Sequence, residues 1–234
     1  MKRIILDIGS MLLGMLLTAE EPYIEELHRQ AEAGDAEAQL NLGLSYQFGT
    51  DVAQNFREAA RWYRLAASQD DAQAQCNLGW CYDRGMGVEQ DHSEAVKWFR
   101  LAANQGLAEA QSNLAMLYYK GEGVTQDHRQ AARLLRQAAD QGYPKAQLNL
   151  GVLYAVGKGV AQDIGEAYFW FWLAEANGVK DAKFGQDMMA KELTPQLREQ
   201  IQARATKRIE ELRKDEDYRR HCLRWVVSDL LRTD

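Results

Sequence analysis

Two Gln-Asp-His triplets, Gln90-Asp91-His92 and Gln126-Asp127-His128, set an imidazole beside a carboxylate twice in one chain. That pairing is raw material for general-base catalysis or metal ligation. The same place in the neighbouring stretches holds Phe56 and Ile164. A position that takes Phe, Ile and His alike selects for bulk, and no Cys, His or carboxylate set with ligand spacing surrounds it. Three Gly-x-Gly-Val turns, beginning at Gly85, Gly121 and Gly157, offer a phosphate-cradle reading. No fixed lysine follows them, so they read as helix stops. Walker loops, Cys-x-x-Cys and His-Glu-x-x-His are absent. Catalytic, cofactor-binding and metal residues are all expected to be none.

The three cysteines, Cys76, Cys81 and Cys222, are too few and odd in number for a disulfide framework. On one helix Cys76 and Cys81 would point about 140° apart, so they read as small buried thiols.

A chain of 234 residues with 46% hydrophobic and 26% charged content suits a soluble globular protein. Three prolines and no Ser/Gly tract mark no boundary, so one continuous body is expected. A net charge of -6 argues against nucleic acid as the partner. The acidity lies in residues 1–190, at -8, while residues 191–234 carry +2. Residues 1–19 have the layout of a secretory signal peptide, from which Asp7 and Leu17 depart. Export to a bacterial cell envelope or periplasm is the expectation, with a cytoplasmic protein carrying an upstream extension as the alternative. The apolar run is too short for a stable membrane span.

The organising feature is a repeat. GVEQDHSEAVKWFRLAANQG, residues 87–106, returns as GVTQDHRQAARLLRQAADQG, residues 123–142. A period of 36 gives four copies in unbroken register: 35–70, 71–106, 107–142 and 143–178. Each spells helix, turn, helix. Ala38, Leu42 and Tyr46 share one helical face in the first copy. Gly49, Gly85, Gly121 and Gly157 stop the first helices. A second glycine follows at Gly87, Gly123 and Gly159, with Asp51 in its place in copy one. Asn55, Asp91, Asp127 and Asp163, each with Glu or Gln three places on, form capping boxes for the second helices. Gly106, Gly142 and Gly178 close the later copies, and Asp70 stands in for the first. A lone hairpin cannot bury both apolar faces, but hairpins stacked at constant spacing make one core.

The wording A-x-A-Q-x-N-L-G-x-x-Y, then G-x-G-V, then D with A-x-x-W and A-A-x-x-G, resembles the Sel-1-like repeat family, relatives of the tetratricopeptide repeat. The resemblance implies an all-α fold: a right-handed α-solenoid of stacked helix-turn-helix repeats, an alpha-alpha superhelix of period 36. Residues 22–34 then read as an N-terminal capping helix. Residues 179–212 read as a degenerate repeat and C-terminal capping helix, with Leu197, Ile201, Ala205 and Ile209 as its apolar ladder. Residues 213–234 form an extra amphipathic tail that either caps the array or binds a partner.

Some cysteine-rich relatives have been discussed as penicillin-binding or β-lactamase-like. That chemistry needs a Ser-x-x-Lys pair, and none occurs. The expected function is a non-enzymatic adaptor or scaffold that binds a protein or peptide through the concave face. The alternatives are a cell-envelope enzyme or enzyme subunit acting on peptidoglycan or β-lactam-like substrates, and a self-assembling structural subunit. Carried over by register, the groove is Leu40, Leu44, Gln47, Trp80, Asp83, Met116, Tyr119, Leu148 and Val152, flanked by Arg84 and Lys120. Cys76, Ser112 and Ala155 share those columns. Oligomeric state is not legible.

Overall fold

The computed structural model describes residues 23–214; the signal-peptide reading of 1–19 and the tail at 215–234, with Cys222, lie outside them. Among the described residues there are eleven helices and no strand. They are α1 (23–32), α2 (Ala36–Phe48), α3 (Phe56–Ala67), α4 (Ala72–Arg84), α5 (His92–Asn104), α6 (Ala108–Lys120), α7 (His128–Asp140), α8 (Pro144–Val156), α9 (Ile164–Ala176), α10 (Ala182–Glu192) and α11 (Pro195–Lys214). No helix among the described residues is long and apolar enough to cross a membrane. The chain divides into two compact units, one ending at Asp91 and the other beginning at His92, within the second copy.

In the first unit α2 packs on α3 and α3 on α4. In front of α2, Leu27 and Ala31 of α1 bury themselves with Ala38, Leu42 and Trp62. In the second unit each helix from α5 to α9 packs on the next, and α11 lies on α9.

The first helices stop where the glycines stand. Gly49, Gly85, Gly121 and Gly157 all take φ near +70°, and the amide of each bonds the carbonyl four residues back. Just beyond, Gln54, Gln90, Gln126 and Gln162 each donate to one further carbonyl of the same helix end, at 2.8–2.9 Å. Orphan carbonyls are thus satisfied twice over, by backbone and by side chain.

Half of the expected capping box is present at Asn55, Asp127 and Asp163. Asn55 Oδ1 accepts from the amides of Arg57 and Glu58, Asp127 Oδ1 from Arg129 and Gln130, and Asp163 Oδ1 from Glu166. In these three the reciprocal bond from the cap amide to the Glu or Gln side chain is not made. The amides of Asn55, Asp91, Asp127 and Asp163 instead donate to the carbonyls of Tyr46, Tyr82, Tyr118 and Tyr154, at 2.8–3.0 Å. The hairpin turn places that carbonyl within bonding distance of the cap amide. Glu58 and Glu166 are left to pair with Arg61 and Arg204.

The second glycines are more than stops. A Cβ on Gly87 would lie 2.0 Å from the carbonyl oxygen of Phe56, and one on Gly123 would lie 2.3 Å from that of His92. Those atoms open the second helix of the preceding copy, so these glycines let successive hairpins touch backbone to backbone. Asp51 does not share their backbone conformation. Its Oδ2 accepts from Ser45 Oγ at 3.2 Å, and Asp70, at φ 64°, is the one non-glycine residue among the described residues with positive φ.

A further pairing sets how closely hairpins close. A Cβ on Gly43 would meet the Tyr63 ring at 2.5 Å, and one on Gly151 the Phe171 ring at 2.8 Å. By register the third copy opposes Ala115 to Leu135, both buried. The extra methyl is tolerated where the facing ring becomes a leucine.

Two predictions follow from these contacts. Gly151→Ala should lower stability by about 1–2 kcal/mol despite alanine's better helix propensity. Phe171→Leu in the same chain should recover on the order of 1 kcal/mol of that as a coupling energy in urea unfolding, and simple additivity would refute the pairing. Gly106→Ala, with open space around its Cβ, should cost roughly 1–2 kcal/mol of backbone strain alone. Gly123→Ala should cost more, because backbone of α5 must also move.

Candidate binding face

At 100° per residue, the first helix of a hairpin divides its circumference among neighbours. Ala38 and Leu42 face α1, and Gly43 faces α3. Residues 40, 44 and 48 turn to the remaining side, and their equivalents recur every 36 residues.

Buried glutamines fix the angle at which that side is presented. Gln39, Gln75, Gln111 and Gln147 each donate Nε2 to the carbonyl of an alanine eight residues earlier, near the end of the preceding second helix. Arginines tie the other end. Arg64 donates to Tyr82 Oη at 3.0 Å and Arg100 to Tyr118 Oη at 3.1 Å, and Arg136 bonds Tyr154 Oη. At the front His28 stands in the arginine's register, 3.4 Å from Tyr46 Oη. The Ala-Gln and Tyr columns are legible in the sequence but their partners are not, because each arginine lies on another helix eighteen residues away.

In the first unit, Leu40, Leu44, Trp80 and Asp83 are half-buried and Arg84 is exposed. Arg84 Nε lies 3.3 Å from Asp83 Oδ2. Gln47 leaves the groove set. It is buried, and its Oε1 accepts from Tyr63 Oη at 2.6 Å, so it fastens α2 to α3. Cys76 is buried as well.

In the second unit, Met116, Tyr119 and Leu148 are half-buried, Val152 and Lys120 are exposed, and Ser112 is buried. The Sδ of Met116 is 3.5 Å from Asn149 Nδ2. Tyr119 lies against the His128 ring at 4.9 Å, with Lys158 Nζ 5.4 Å from its ring centre. Lys120 pairs with Glu122 at 3.2 Å. The His128 side chain is therefore packed on an aromatic ring of the first-helix side.

Three apolar residues on this side were missed. Val156 is 54% exposed, Phe184 76% and Met188 44%, beside Val152 at 41%. Phe184 and Met188 are Leu148 and Val152 carried one period further, onto α10. The signal was present, and it is lost when register is followed only through four complete copies.

The buried thiol of Cys81 is pushed up to about 12 by loss of water, against the opposing charge of Arg64. Such a thiol is neither a nucleophile nor a ligand near neutral pH.

Helical hairpins at a pitch of 36 residues define an all-α solenoid repeat protein. The Sel1 repeat model matches residues 36–71, 72–107, 108–143 and 144–179, and the chain belongs to the Sel1 repeat family. Among solved structures it is similar to c5321, a protective antigen present in uropathogenic Escherichia coli strains and displaying an SLR fold. Identity there is 38% and the TM-score 0.75, over 80% of this chain and 40% of that one. It is also similar to a Sel1 repeat protein from Oxalobacter formigenes, at 36% identity and TM-score 0.64, over 67% of this chain and 62% of that one. A putative Sel1 repeat protein from Klebsiella pneumoniae subsp. pneumoniae, at 23% identity and TM-score 0.53, shares the fold over 81% of this chain and 97% of its own. The chain thus spans well under two thirds of the antigen's length. No curated protein matches it.

The Cys81 thiol gives a direct check. In a Cys222→Ser background, folded protein at about pH 8 should resist iodoacetamide at Cys76 and Cys81, and urea should expose both. Because the folded pKa lies above the unfolded one, the thiol's contribution to stability is complete below the ordinary thiol range. It is lost as pH climbs toward 12.

Proposed function

We propose that this protein is a non-enzymatic scaffold that captures another protein or peptide on its first-helix face. The observation that carries the reading is the exposed Val152 and Val156, one turn apart on α8, beside half-buried Met116 and Leu148. A run of apolar side chains on one helix face is the complement of an apolar stripe on a partner helix or extended segment. Covering a valine or leucine contributes roughly 1.5–3 kcal/mol, so a few anchors suffice for a useful complex.

Rigidity supplies the rest. Glutamine and arginine ties at both ends of the first helices hold the face in place before a partner arrives, so little ordering entropy is lost on binding. The partner class is protein, since the acidic character of residues 1–190 disfavours a phosphate backbone. Sel1 repeats are generally protein-interaction scaffolds, which agrees with this reading.

The test compares capture by immobilised full-length variants from the native source. Val152→Asp with Val156→Asp should reduce recovery of the specific partner about tenfold or more, with the thermal midpoint nearly unchanged. Trp80→Ala should likewise weaken capture without unfolding. Undiminished capture by the valine variant would reject the face, and loss of stability in step with binding would assign Trp80 to the core.

A further inference from the structure

The glutamine ties that stack the array recur in all four copies, but one contact on the first-helix side of the second unit occurs once. Lys158, next after the glycine that ends α8, reaches across to α6. Its Nζ lies 5.4 Å from the centre of the Tyr119 ring and donates to Tyr119 Oη at 3.4 Å. One period earlier the two positions hold Asp83 and Glu122, and one period later Ala155 and Thr194. A lysine over a tyrosine is therefore nothing that stacking requires.

The pair is electrostatically incomplete. Lys158 is exposed and has no carboxylate partner among the described residues, whereas Lys120 on the same side is paired with Glu122. The ring face attracts the ammonium but leaves its charge uncompensated. A tyrosine oxygen that accepts from the lysine keeps its own hydrogen free to donate. Tyr119 is half-buried and its ring is backed by that of His128 at 4.9 Å, so the hydroxyl is held in place. Two donors, one of them charged, thus stand side by side, as the oxygens of one carboxylate require.

Their position names the neighbour of that carboxylate. The exposed Val156 is two residues before Lys158, and Val152 lies one turn further back on α8. Met116 Sδ, 3.5 Å from Asn149 Nδ2, joins the apolar side of α6 to that of α8. The apolar floor ends at a cationic border. We infer that the segment captured on this face carries an Asp or Glu side chain beside its apolar anchors, and that Lys158 and Tyr119 bind that carboxylate. Because Lys158 is exposed, no wall closes the border, and the captured chain runs on past it. This rests on the proposed capture by Val152 and Val156 and adds its charge specificity: an acidic neighbour is favoured and a basic one refused.

Selection of short random peptides on immobilised full-length protein tests it. The peptides are displayed with their C-termini fused to the carrier, so that only side chains supply carboxylates. Wild type should enrich apolar peptides with a nearby Asp or Glu. Lys158→Glu, at an exposed site and with an unchanged melting curve, should enrich apolar peptides with Lys or Arg there instead. A peptide selected by wild type, synthesised with an amidated C-terminus, should bind Lys158→Glu about tenfold more weakly, and the difference should shrink as salt is raised. Tyr119→Phe, which keeps the ring, should bind it roughly two- to threefold more weakly. Apolar peptides enriched without acidic preference, the same acidic peptides enriched by Lys158→Glu, or binding that needs a free terminal carboxylate would overturn the inference and leave capture on the valines standing. Failure of wild type to enrich any peptide, or equal enrichment by Val152→Asp with Val156→Asp, would reject the face itself and this inference with it.

Discussion

Everything in this protein depends on how closely two helices of a hairpin can approach. Where a glycine of the first helix meets an aromatic ring of the second, as Gly43 meets Tyr63 and Gly151 meets Phe171, the ring lies against bare backbone. The contact is short, apolar and repeated. Because a two-helix layer is too thin to hide both sides, the spacing set by this contact must agree from copy to copy or the next hairpin does not seat. Gly87 and Gly123 enforce the same agreement between copies, where backbone meets backbone with no room for a methyl group.

Polar groups then turn proximity into a fixed angle. Each buried Gln reaches an alanine carbonyl of the preceding second helix, and each Arg reaches the Tyr of the following first helix. Such bonds add modest net stability, but an unmade one inside the array would leave a buried donor without a partner, so slippage is penalised. Within each of the two units, the outward sides of the first helices are thereby held at a defined orientation. The substitution of His28 for the arginine at the front, against Tyr46, shows the same device adapted to an end.

The ends differ from the middle for a physical reason. Between α8 and α9 a seven-residue turn separates the helices, whereas only Leu193 and Thr194 separate α10 from α11. With the long glycine turn gone, α11 crosses α9 and buries Ile201, Ala205, Ile209 and Leu212, while Leu197 stays exposed. The expected apolar ladder is therefore real in its last three members and fails at its first. The chain seals its fourth copy and exposes α10.

Periodicity by itself determined that this chain is helical, where the first helices of the four copies stop, that Asn55, Asp127 and Asp163 cap second helices, and that the copies form one repeat family. Those features are local or recur at a fixed interval, so one strand of text contains them. Composition likewise foretold that Cys76 and Cys81 are buried thiols. Only the tertiary structure decided that the cap amides bond tyrosine carbonyls rather than glutamates, that Gln47 belongs to the interior, and that Phe184 and Met188 reach solvent. Each of these depends on which of several nearby groups lies within reach once helices pack, and that is settled by distance in space, which register along the chain does not encode.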